Sequence, residues 1–269
     1  MGYDLHIHSI YSDGTLKPAE LIQKAVSRGL TGIALTDHDT VAGIAEANLE
    51  AVRYGLEFIP GVELTTDYGE VEVHILGYDY DLTAPKLLQK LELIVESRNE
   101  RAKTILKKLN KHRIPLSWEK VKAKTTSKFV GRAHIFRAME AAGFVNQEHR
   151  QELFEYYLGK NGLAYEPHRE IGTFEAVGLI NDSGGTPVLA HPGRMDNEKL
   201  ICQLLEVGLK GLEVFYPTHT PDLVTRYLAI ADRYHLFITG GTDYHGAFSQ
   251  TKIGDCQATD IPWRRPART

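Results

Sequence analysis

Short apolar segments alternate with amphipathic helical segments from the first residues of the chain onward. One helical segment has Pro18 at its start, apolar residues at helical spacing and Gly29 just past its end, which are typical start and stop signals of a helix. The apolar run from Ile33 to Leu35 follows as a strand. Strands that alternate with helices indicate a parallel sheet joined by crossover helices. The sequence therefore predicts an α/β fold.

The same pattern predicts seven strands, near residues 3–8, 33–35, 57–64, 71–77, 187–191, 211–216 and 236–240. Further helices are predicted near residues 41–54, 197–207 and 221–234. Between Pro85 and about Ile171 the strand pattern disappears, and one long and several shorter helical stretches replace it. We expect residues 1–84 and 172–269 to form the α/β domain. Residues 85–171 are predicted to be a helical insertion that covers one mouth of that domain or recognises substrate.

The composition is that of a soluble globular protein, with 42% hydrophobic and 25% charged residues. The sequence has no run of about 18 apolar residues and no secretory leader, so we expect a cytoplasmic protein without a membrane partner. Its net charge of -4 does not favour binding of long duplex nucleic acids. The basic tail from Arg264 to Arg268 is interpreted as a solvated end. Cys202 and Cys256 are not expected to form a structural disulfide.

Histidines and carboxylates recur at or just beyond the ends of the predicted strands, which is where barrel enzymes build their sites. Asp37 and Asp39 flank one of these histidines and are expected to orient ligands or to cap the next helix. Glu213 and His219 belong to the sixth strand and the loop after it. The candidate metal ligands are His6, His8, Asp13, His38, Glu63, His74, His191, Asp243 and His245.

His6 and His8 are two residues apart on a predicted strand, so both imidazoles project from the same face and can bind one ion. Imidazole and carboxylate ligands without thiolates suit Mn, Fe, Zn or Co, and they argue against a structural zinc site. The candidate ligands are too many for one ion and enough for two or three. Ions about 3.5 to 4 Å apart commonly stabilise the attacking and leaving oxygens of phosphoryl transfer. Phosphate-ester hydrolysis is therefore the leading prediction.

Six short motifs follow one another through nearly the whole chain. They are His6-Ile7-His8-Ser9 with Ser12-Asp13-Gly14, Thr36-Asp37-His38-Asp39-Thr40, Pro60-Gly61-Val62-Glu63, Val73-His74-Ile75-Leu76-Gly77-Tyr78, Ala190-His191-Pro192-Gly193 and Gly241-Thr242-Asp243-Tyr244-His245. Together they resemble the motifs of the PHP (polymerase and histidinol phosphatase) family. The chain is most similar to the stand-alone members with a helical insertion, the group of 3',5'-nucleoside bisphosphate phosphatases and the RNase AM type of 5' exoribonuclease.

That resemblance implies a distorted (β/α)7 barrel with an inserted helical subdomain, and a trinuclear metal centre. We therefore expect two to three divalent ions, of Mn, Fe or Zn. The implied ligand sets are His6, His8, Glu63 and Asp243 for the first ion; Glu63, as a bridge, with His74 and His191 for the second; and Asp13, His38 and His245 for the third. Thr242 stands where many relatives have serine. This departure leaves the ligands Asp243 and His245 in place.

The predicted mechanism is attack on phosphorus by a hydroxide shared between two ions, because bound metal lowers the pKa of water to about 7. His191, Asp243 and His219 are the candidate catalytic residues. His191 and His219 would position groups or transfer protons, although a solvated loop histidine is an equal alternative for His219.

Arginine and helix N-termini are the groups expected to bind substrate phosphates away from the metals. Arg194 lies at the predicted rim and offers a planar fork that binds two oxygens at once. A second phosphate or nucleotide contact is predicted at Ser127, Lys128, Arg132 and His134, where a helix begins and its amides favour anions. The alternative for that segment is a solvated helix start.

The first functional hypothesis is an enzyme that removes phosphate from small nucleotides of the 3',5'-bisphosphate type, or trims 5' ends of short oligoribonucleotides. Its partner would be a small phosphorylated substrate, because an acidic chain without a basic stripe suits small substrates better than long duplexes. A histidinol-phosphate phosphatase is the alternative within catalysis, since it shares the metal motifs. A non-catalytic, metal-stabilised interaction module is the alternative from another class, and the intact ligand set argues against it.

Overall fold

The computed structural model describes residues 2–69, 71–167, 170–247 and 249–264. Most of the basic tail that the sequence predicts to be solvated, from Arg265 to Arg268, lies outside the described residues. Backbone contacts divide the chain into two compact units. The barrel unit comprises Met1–Lys90 and Ile171–Thr269, and the helical unit comprises Leu91–Glu170. The helical unit falls within the insertion that the sequence predicts at residues 85–171.

One sheet in the barrel unit contains its strands side by side in chain order. Their bounds are β1 Tyr3–Asp4, β2 Gly32–Leu35, β3 Glu57–Tyr68, β4 Val71–Tyr78, β5 Thr186–Leu189, β6 Gly211–Phe215 and β7 Phe237–Gly240. The N–H of Leu5 donates to the carbonyl of Gly240 at 3.1 Å, so the chain after β1 meets the end of β7 and the sheet nearly closes. Within the described residues, the predicted seven-stranded α/β barrel is confirmed.

Helices surround the sheet and also build the helical unit. Their bounds are α1 Pro18–Ser27, α2 Ile44–Tyr54, α3 Pro85–Lys111, α4 Trp118–Lys122, α5 Arg132–Ala141, α6 Arg150–Leu158, α7 Thr173–Asp182, α8 Glu198–Glu206 and α9 Pro221–Arg233. α9 shows how the sequence sets a helix start, because Pro221 is its first residue and the Thr220 hydroxyl accepts the N–H of Leu223. α2 begins at Ile44, three residues later than the pattern predicts.

Helix α7 packs against β3, β4 and β5, although the sequence pattern did not predict it. Gly178 lies in its middle and lowers its intrinsic helix propensity. The packing of α7 against the sheet compensates for this lower helix propensity. A Cβ atom at Gly77 of β4 would lie 2.4 Å from Cδ1 of Ile180, so only glycine lets α7 approach the strand this closely.

The expectation of an all-parallel sheet is wrong for β4, which pairs antiparallel with both β3 and β5. β3 and β4 are joined by a tight turn in which Gly69 adopts a φ of 61°. A parallel connection needs a crossover of a dozen or more residues, and this turn leaves no room for one. His74 therefore lies within β4, opposite Thr65 of β3, and not at a carboxyl end of a parallel strand.

The first strand is shorter than predicted, because β1 ends at Asp4 and the segment from Leu5 to His8 is irregular. Its backbone donors find scattered partners: the N–H of Ile7 donates to the Thr36 hydroxyl, and that of His8 to the carbonyl of Tyr244. The extended conformation still alternates its side chains, so His6 and His8 share one side, with ring centroids 5.1 Å apart. His6 and His8 therefore lie together as predicted, although this segment lacks regular strand pairing.

The helical unit has an apolar core of its own, which includes Leu106, Leu109, Ile135, Phe136 and Met139. The C-terminal part of α3, from Ala102 to Leu109, supplies one wall of that core. Among the helices of the described residues, none combines the length and apolar character that a membrane crossing requires.

Candidate metal centre

Glu63 of β3 is the centre of a cluster of buried histidines in the barrel unit. Its Oε2 atom lies 3.2 Å from Nε2 of His6, 3.2 Å from Nε2 of His8 and 3.1 Å from Nδ1 of His38. Its Oε1 atom faces the other way, toward β4 and the loop after β5. The two oxygens of the Glu63 carboxylate therefore lie beside different histidines. A carboxylate that bridges two metal ions would be placed in the same way.

On the Oε1 side, His74 and His191 complete the surroundings of Glu63. Nδ1 of His74 lies 2.7 Å from Oε1, and Nε2 of His191 lies 3.2 Å from it. The antiparallel course of β4 is what brings His74 here, because it places this histidine beside Thr65, two residues from Glu63.

Asp243 and His245, which follow β7, complete the cluster near His8. Oδ1 of Asp243 lies 3.4 Å from Nε2 of His6 and 3.1 Å from Nε2 of His8. Nε2 of His245 lies 3.2 Å from Oδ1 of Asp13. All nine candidate ligands thus meet at one end of the barrel.

Among the residues that the structure describes, these side chains form three overlapping groups, and within each group the ligand atoms lie within 4.8 Å of one another. They are His6, His8, Glu63 and Asp243; His38, Glu63 and His74; and His8, Asp13, His38 and His245. The first group has the composition that the family resemblance implies. In the second, His38 takes the place expected for His191, and the third adds His8 to the expected set. The assignment of ligands to individual ions stays a prediction.

Several buried atoms in this cluster fit a metal ion better than they fit one another. Within the described residues, Nε2 of His6, both ring nitrogens of His8 and Oε2 of Glu63 are inaccessible to solvent and make no hydrogen bond. Buried polar atoms are almost always paired, because an unpaired one costs about 1–3 kcal/mol. Divalent cations bound by imidazole and carboxylate would satisfy all of these atoms together. The residues present therefore fit a metal centre.

The electrostatics of the cluster point the same way. Burial alone would lower the pKa of His8, but the carboxylates of Asp243 and Glu63 raise it to about 10. Burial opposes ionisation of Glu63 and Asp243 as well, yet the surrounding imidazoles, chiefly His38 for Glu63 and His6 for Asp243, hold both pKa values well below the usual range. The carboxylates remain charged, so the buried site requires positive charge from protons or from metal ions.

The pKa of His191 shifts in the opposite direction to that of His8. Burial, followed by the charge of Arg194, lowers its pKa to about 3. The ring is therefore neutral at physiological pH, and a neutral imidazole is the form that binds a metal or accepts a proton.

The backbone is strained at three positions of this site. The φ values of Asp39, His191 and Asp243 are 51°, 30° and 51°. They lie in the left-handed region, which residues other than glycine rarely adopt. Such conformations cost about 1–3 kcal/mol each and cluster at functional sites. The three strained residues therefore indicate that the loops carrying them are held in the conformations that the site requires.

Buried carboxylates outside the ligand set hold these loops in place. Asp37 accepts hydrogen bonds from the Ser9 N–H, the Ser9 hydroxyl and the Ser12 hydroxyl, at 2.6–2.7 Å. Asp39 accepts the N–H of Thr65 at 3.0 Å. Both therefore orient the segments that carry ligands, as their positions beside His38 suggest.

Asp4 holds the loop after β7 in place. It accepts hydrogen bonds from the N–H and the hydroxyl of Thr242 and from the N–H of Gly254. Burial raises its pKa to about 6. Thr242 thus supplies the hydroxyl and the N–H that this carboxylate accepts.

The sequence analysis placed Glu213 of β6 among the polar residues near the strand ends, but not among the candidate ligands, catalytic residues or substrate contacts. Its side chain is fully buried, and its two oxygens accept hydrogen bonds from Nδ1 of His6 and from the backbone N–H of His191. A charged residue between Leu212 and Val214, inside an otherwise buried strand, was the available signal.

Arg194 and Tyr216 meet Asp243 at the edge of the cluster. A guanidinium N–H of Arg194 donates to the Tyr216 hydroxyl and to Oδ2 of Asp243, 3.1 Å away. The Tyr216 hydroxyl donates to the same oxygen at 2.9 Å. Because half of the Arg194 side chain remains exposed, its other N–H groups can reach a ligand from solvent.

His219 has both ring nitrogens engaged by the main chain. Nδ1 donates to the carbonyl of Val214 at 2.9 Å, and Nε2 accepts the N–H of Gly193 at 3.1 Å. This arrangement favours a positioning role for His219 over proton transfer. A catalytic role for His219 stays a prediction.

The predicted phosphate contact at the start of α5 lies in the helical unit. His134 is buried, its Nδ1 accepts the N–H of Gly131, and its Nε2 lies 3.1 Å from the Thr125 hydroxyl oxygen. The Ser127 hydroxyl, also buried, accepts the N–H of Phe129. Both side chains thus support the local fold.

The two basic residues of this segment differ in exposure. Lys128 is exposed, whereas Arg132 is half-buried, with its guanidinium 3.5 Å from the carbonyl of Leu158 and 6.0 Å from the ring of Phe154. Substrate binding by this segment stays a prediction, with Lys128 as its most accessible group.

Comparison with known proteins gives the context of this site. A family model described as the PHP domain matches residues 4–165. The chain is 35% identical to the 5'-3' exoribonuclease Rnm of Escherichia coli, over 94% of this chain and 88% of that protein. It is also 35% identical to the 3',5'-nucleoside bisphosphate phosphatase of Chromobacterium violaceum, over 90% of this chain and 86% of that protein.

A solved structure from Bifidobacterium adolescentis, named as a candidate metal-dependent phosphoesterase, is similar over 97% of this chain and 93% of its own, with a TM-score of 0.90 and 32% identity. The family match begins with the histidine-bearing segment and continues through Glu63 and His74. Together with the buried cluster of imidazoles and carboxylates, these similarities establish that the chain belongs to the PHP domain family and is a metal-dependent phosphoesterase.

Proposed function

We propose that this protein hydrolyses phosphate esters of small nucleotides, either 3',5'-nucleoside bisphosphates or the 5' ends of short oligoribonucleotides. The observation that carries the proposal is the Glu63 carboxylate, whose two oxygens face separate groups of buried histidines. A bridged pair or triplet of divalent ions is the arrangement suited to phosphoryl transfer.

The nine clustered residues would hold two or three divalent ions, of Mn, Fe or Zn. Eight of them form the sets that overlap at His8, His38 and Glu63, and His191 lies beside Glu63 outside these sets. Ions in such sites lower the pKa of a water molecule to about 7 and offset the charge on phosphate oxygens. The absence of thiolate ligands from these sets suits this choice of metals.

Residues beside the cluster would orient the phosphate. Arg194 offers a half-exposed side chain whose guanidinium could bind phosphate oxygens. Its hydrogen bond to Asp243 holds the guanidinium next to a candidate metal ligand. His191 is neutral and faces Glu63, so it can bind an ion or accept a hydrogen bond from substrate. The engaged nitrogens of His219 hold the Gly193 backbone next to Arg194, which supports a positioning role.

Two relatives support the nucleotide class of substrate. The chain is equally identical to a protein named for bisphosphate hydrolysis and to one named for exoribonuclease activity, so the proposal includes both. The net charge of -4 is consistent with a short substrate rather than a long polyanion. The helical unit, with Lys128 and Arg132, is the proposed source of contacts to the nucleoside or to a second phosphate.

A substrate panel tests this proposal. Metal-stripped protein is reloaded with Mn²⁺, Fe²⁺ or Zn²⁺, and product release is measured from nucleoside 3',5'-bisphosphates, nucleoside monophosphates, histidinol phosphate and 5'-phosphorylated short RNA. We expect turnover of bisphosphates or short RNA to exceed that of histidinol phosphate. Preference for histidinol phosphate would overturn the substrate class, and no turnover by folded, metal-loaded protein would overturn catalysis.

A further inference from the structure

We propose that Glu213 is a positioning residue that fixes the proton of His6 on Nδ1 and ties His6 to the loop of His191. This inference rests on the proposed metal centre and adds a residue outside the ligand groups. Glu213 lies in the middle of β6, and its side chain is only 1% exposed.

The contacts of Glu213 are divided between its two oxygens. Oε1 lies 2.9 Å from Nδ1 of His6, and Oε2 lies 2.8 Å from the backbone nitrogen of His191. A carboxylate only accepts hydrogen bonds, so Nδ1 of His6 must carry a proton. Nε2 of His6 is then left for a metal ion, and it faces Glu63 and Asp243 at 3.2 and 3.4 Å.

The second contact acts on a strained loop. His191 has a φ of 30°, and its N–H points into the protein interior, where Glu213 accepts it. Without that acceptor, a buried backbone donor would be unpaired in an unfavourable conformation. One side chain therefore sets both the ring of His6 and the backbone from which His191 reaches Glu63.

Glu213 is a positioning residue and not a further ligand, because both of its oxygens are already engaged by N–H donors. Replacement of Glu213 with glutamine keeps the shape but provides one acceptor and one N–H donor. If the amide oxygen accepts the His191 N–H, the amide nitrogen must face Nδ1 of His6. The proton of His6 then moves to Nε2, where it blocks metal binding.

The first experiment compares metal affinity of metal-free wild type, Glu213→Gln and a matched control, Glu50→Gln, by calorimetric titration with Zn²⁺ and with Mn²⁺. Glu50 is also a buried glutamate, but its side chain contacts Gln23 of α1 and Arg53 of α2 in the barrel unit. We expect Glu213→Gln to weaken at least one site by about 10- to 100-fold. Glu50→Gln should retain wild-type affinity.

The second experiment uses histidine-selective ¹⁵N labelling of the Zn²⁺-loaded wild type, with a His6 substitution for assignment. We expect Nδ1 of His6 to carry a slowly exchanging proton. A His6 ring without a proton on Nδ1 would overturn the inference even if Glu213→Gln failed to fold.

The outcomes separate this inference from the proposed function. Wild-type protein that binds no divalent metal overturns the metal centre itself, and this inference with it. Wild-type binding together with unchanged affinity in folded Glu213→Gln overturns only the role of Glu213. Weaker binding in Glu213→Gln, with thermal unfolding of the metal-free protein like that of Glu50→Gln, supports it.

Discussion

Both the barrel unit and the helical unit bury histidine side chains, and His8 and His134 have opposite surroundings. His8 of the barrel unit is fully buried, and within the described residues neither of its ring nitrogens makes a hydrogen bond. His134 of the helical unit is 1% exposed, and it contacts the Gly131 N–H and the Thr125 hydroxyl. Burial is the same, and the partners differ.

This difference shows why burial of a polar side chain does not by itself indicate a functional site. His134 completes the start of α5, which is an adequate structural reason for its burial. His8 instead faces the carboxylates of Glu63 and Asp243, at 3.2 and 3.1 Å, and completes no helix end or turn. The unpaired polar atoms, rather than the histidines, identify the metal centre.

The largest effect is expected for His8→Ala. Removal of this ligand should lower the turnover number by about 1,000-fold, equivalent to about 4 kcal/mol, since metal stabilisation of the transition state contributes several kcal/mol. Steady-state assays on the preferred substrate measure it. His112→Ala, at an exposed histidine, is the matched control and should keep full activity. An active and folded His8→Ala protein would refute the contrast between the units.

Metal removal should affect the two units differently. Ligand linkage gives about 2.7 kcal/mol at a metal concentration 100 times the dissociation constant, which lowers the melting temperature by about 5–10 °C when metal is chelated. Calorimetry measures the shift. Hydrogen exchange should accelerate at residues 5–9 and change little in α5. Equal acceleration in both units would contradict a metal centre confined to the barrel unit.

Arg194→Lys should lower kcat/KM by about 10- to 100-fold, because a hydrogen bond to a charged group contributes about 1.5–3 kcal/mol. Lysine keeps the charge and loses the planar fork. Because Arg194 also contacts Asp243, metal affinity of the variant must be measured in parallel. A loss of activity matched by an equal loss of metal affinity would assign Arg194 to the metal centre and not to substrate binding.

Lys128→Ala tests whether the helical unit contacts substrate at all. A single exposed charged contact contributes up to about 1 kcal/mol, so KM should rise about fivefold with kcat unchanged. Lys124→Ala, at another exposed lysine of the same unit, is the control. Equal kinetics for Lys128→Ala and wild type would leave the segment with a structural role only.

His134→Ala should have the smallest effect on activity. Loss of the interactions at the start of α5 should lower the free energy of unfolding by about 1 kcal/mol, as measured by denaturant titration. Turnover of the folded fraction should be unchanged. A fall in kcat/KM at wild-type stability would show that His134 contacts substrate after all.

The sequence predicted the barrel, and it predicted that the nine candidate ligands would lie together, because both expectations follow from local patterns. Alternation along residues 5–8 places His6 and His8 on one side even where regular strand pairing is absent. The strand with Glu63 and the loop with Asp243 are likewise recognised from apolar runs that end in polar residues.

Other features depend on contacts that no local pattern contains. The direction of β4 is set by the tight turn at Gly69, and α7 is stabilised by its packing on Gly77. The role of Glu213 requires His6, 207 residues away, to lie beside it. The partners of His134 likewise become visible only once Thr125 and Gly131 are in place.

The hairpin of β3 and β4 has a consequence for how the metal centre is assembled during synthesis. It brings Glu63 and His74, 11 residues apart in sequence, into contact through local pairing that can form early. Asp243 and His245 follow the last strand of the barrel, so they can join Glu63 and His74 only after the earlier strands have been synthesised. The set of candidate ligands is therefore completed late, when β7 and the loop after it pack against the earlier strands.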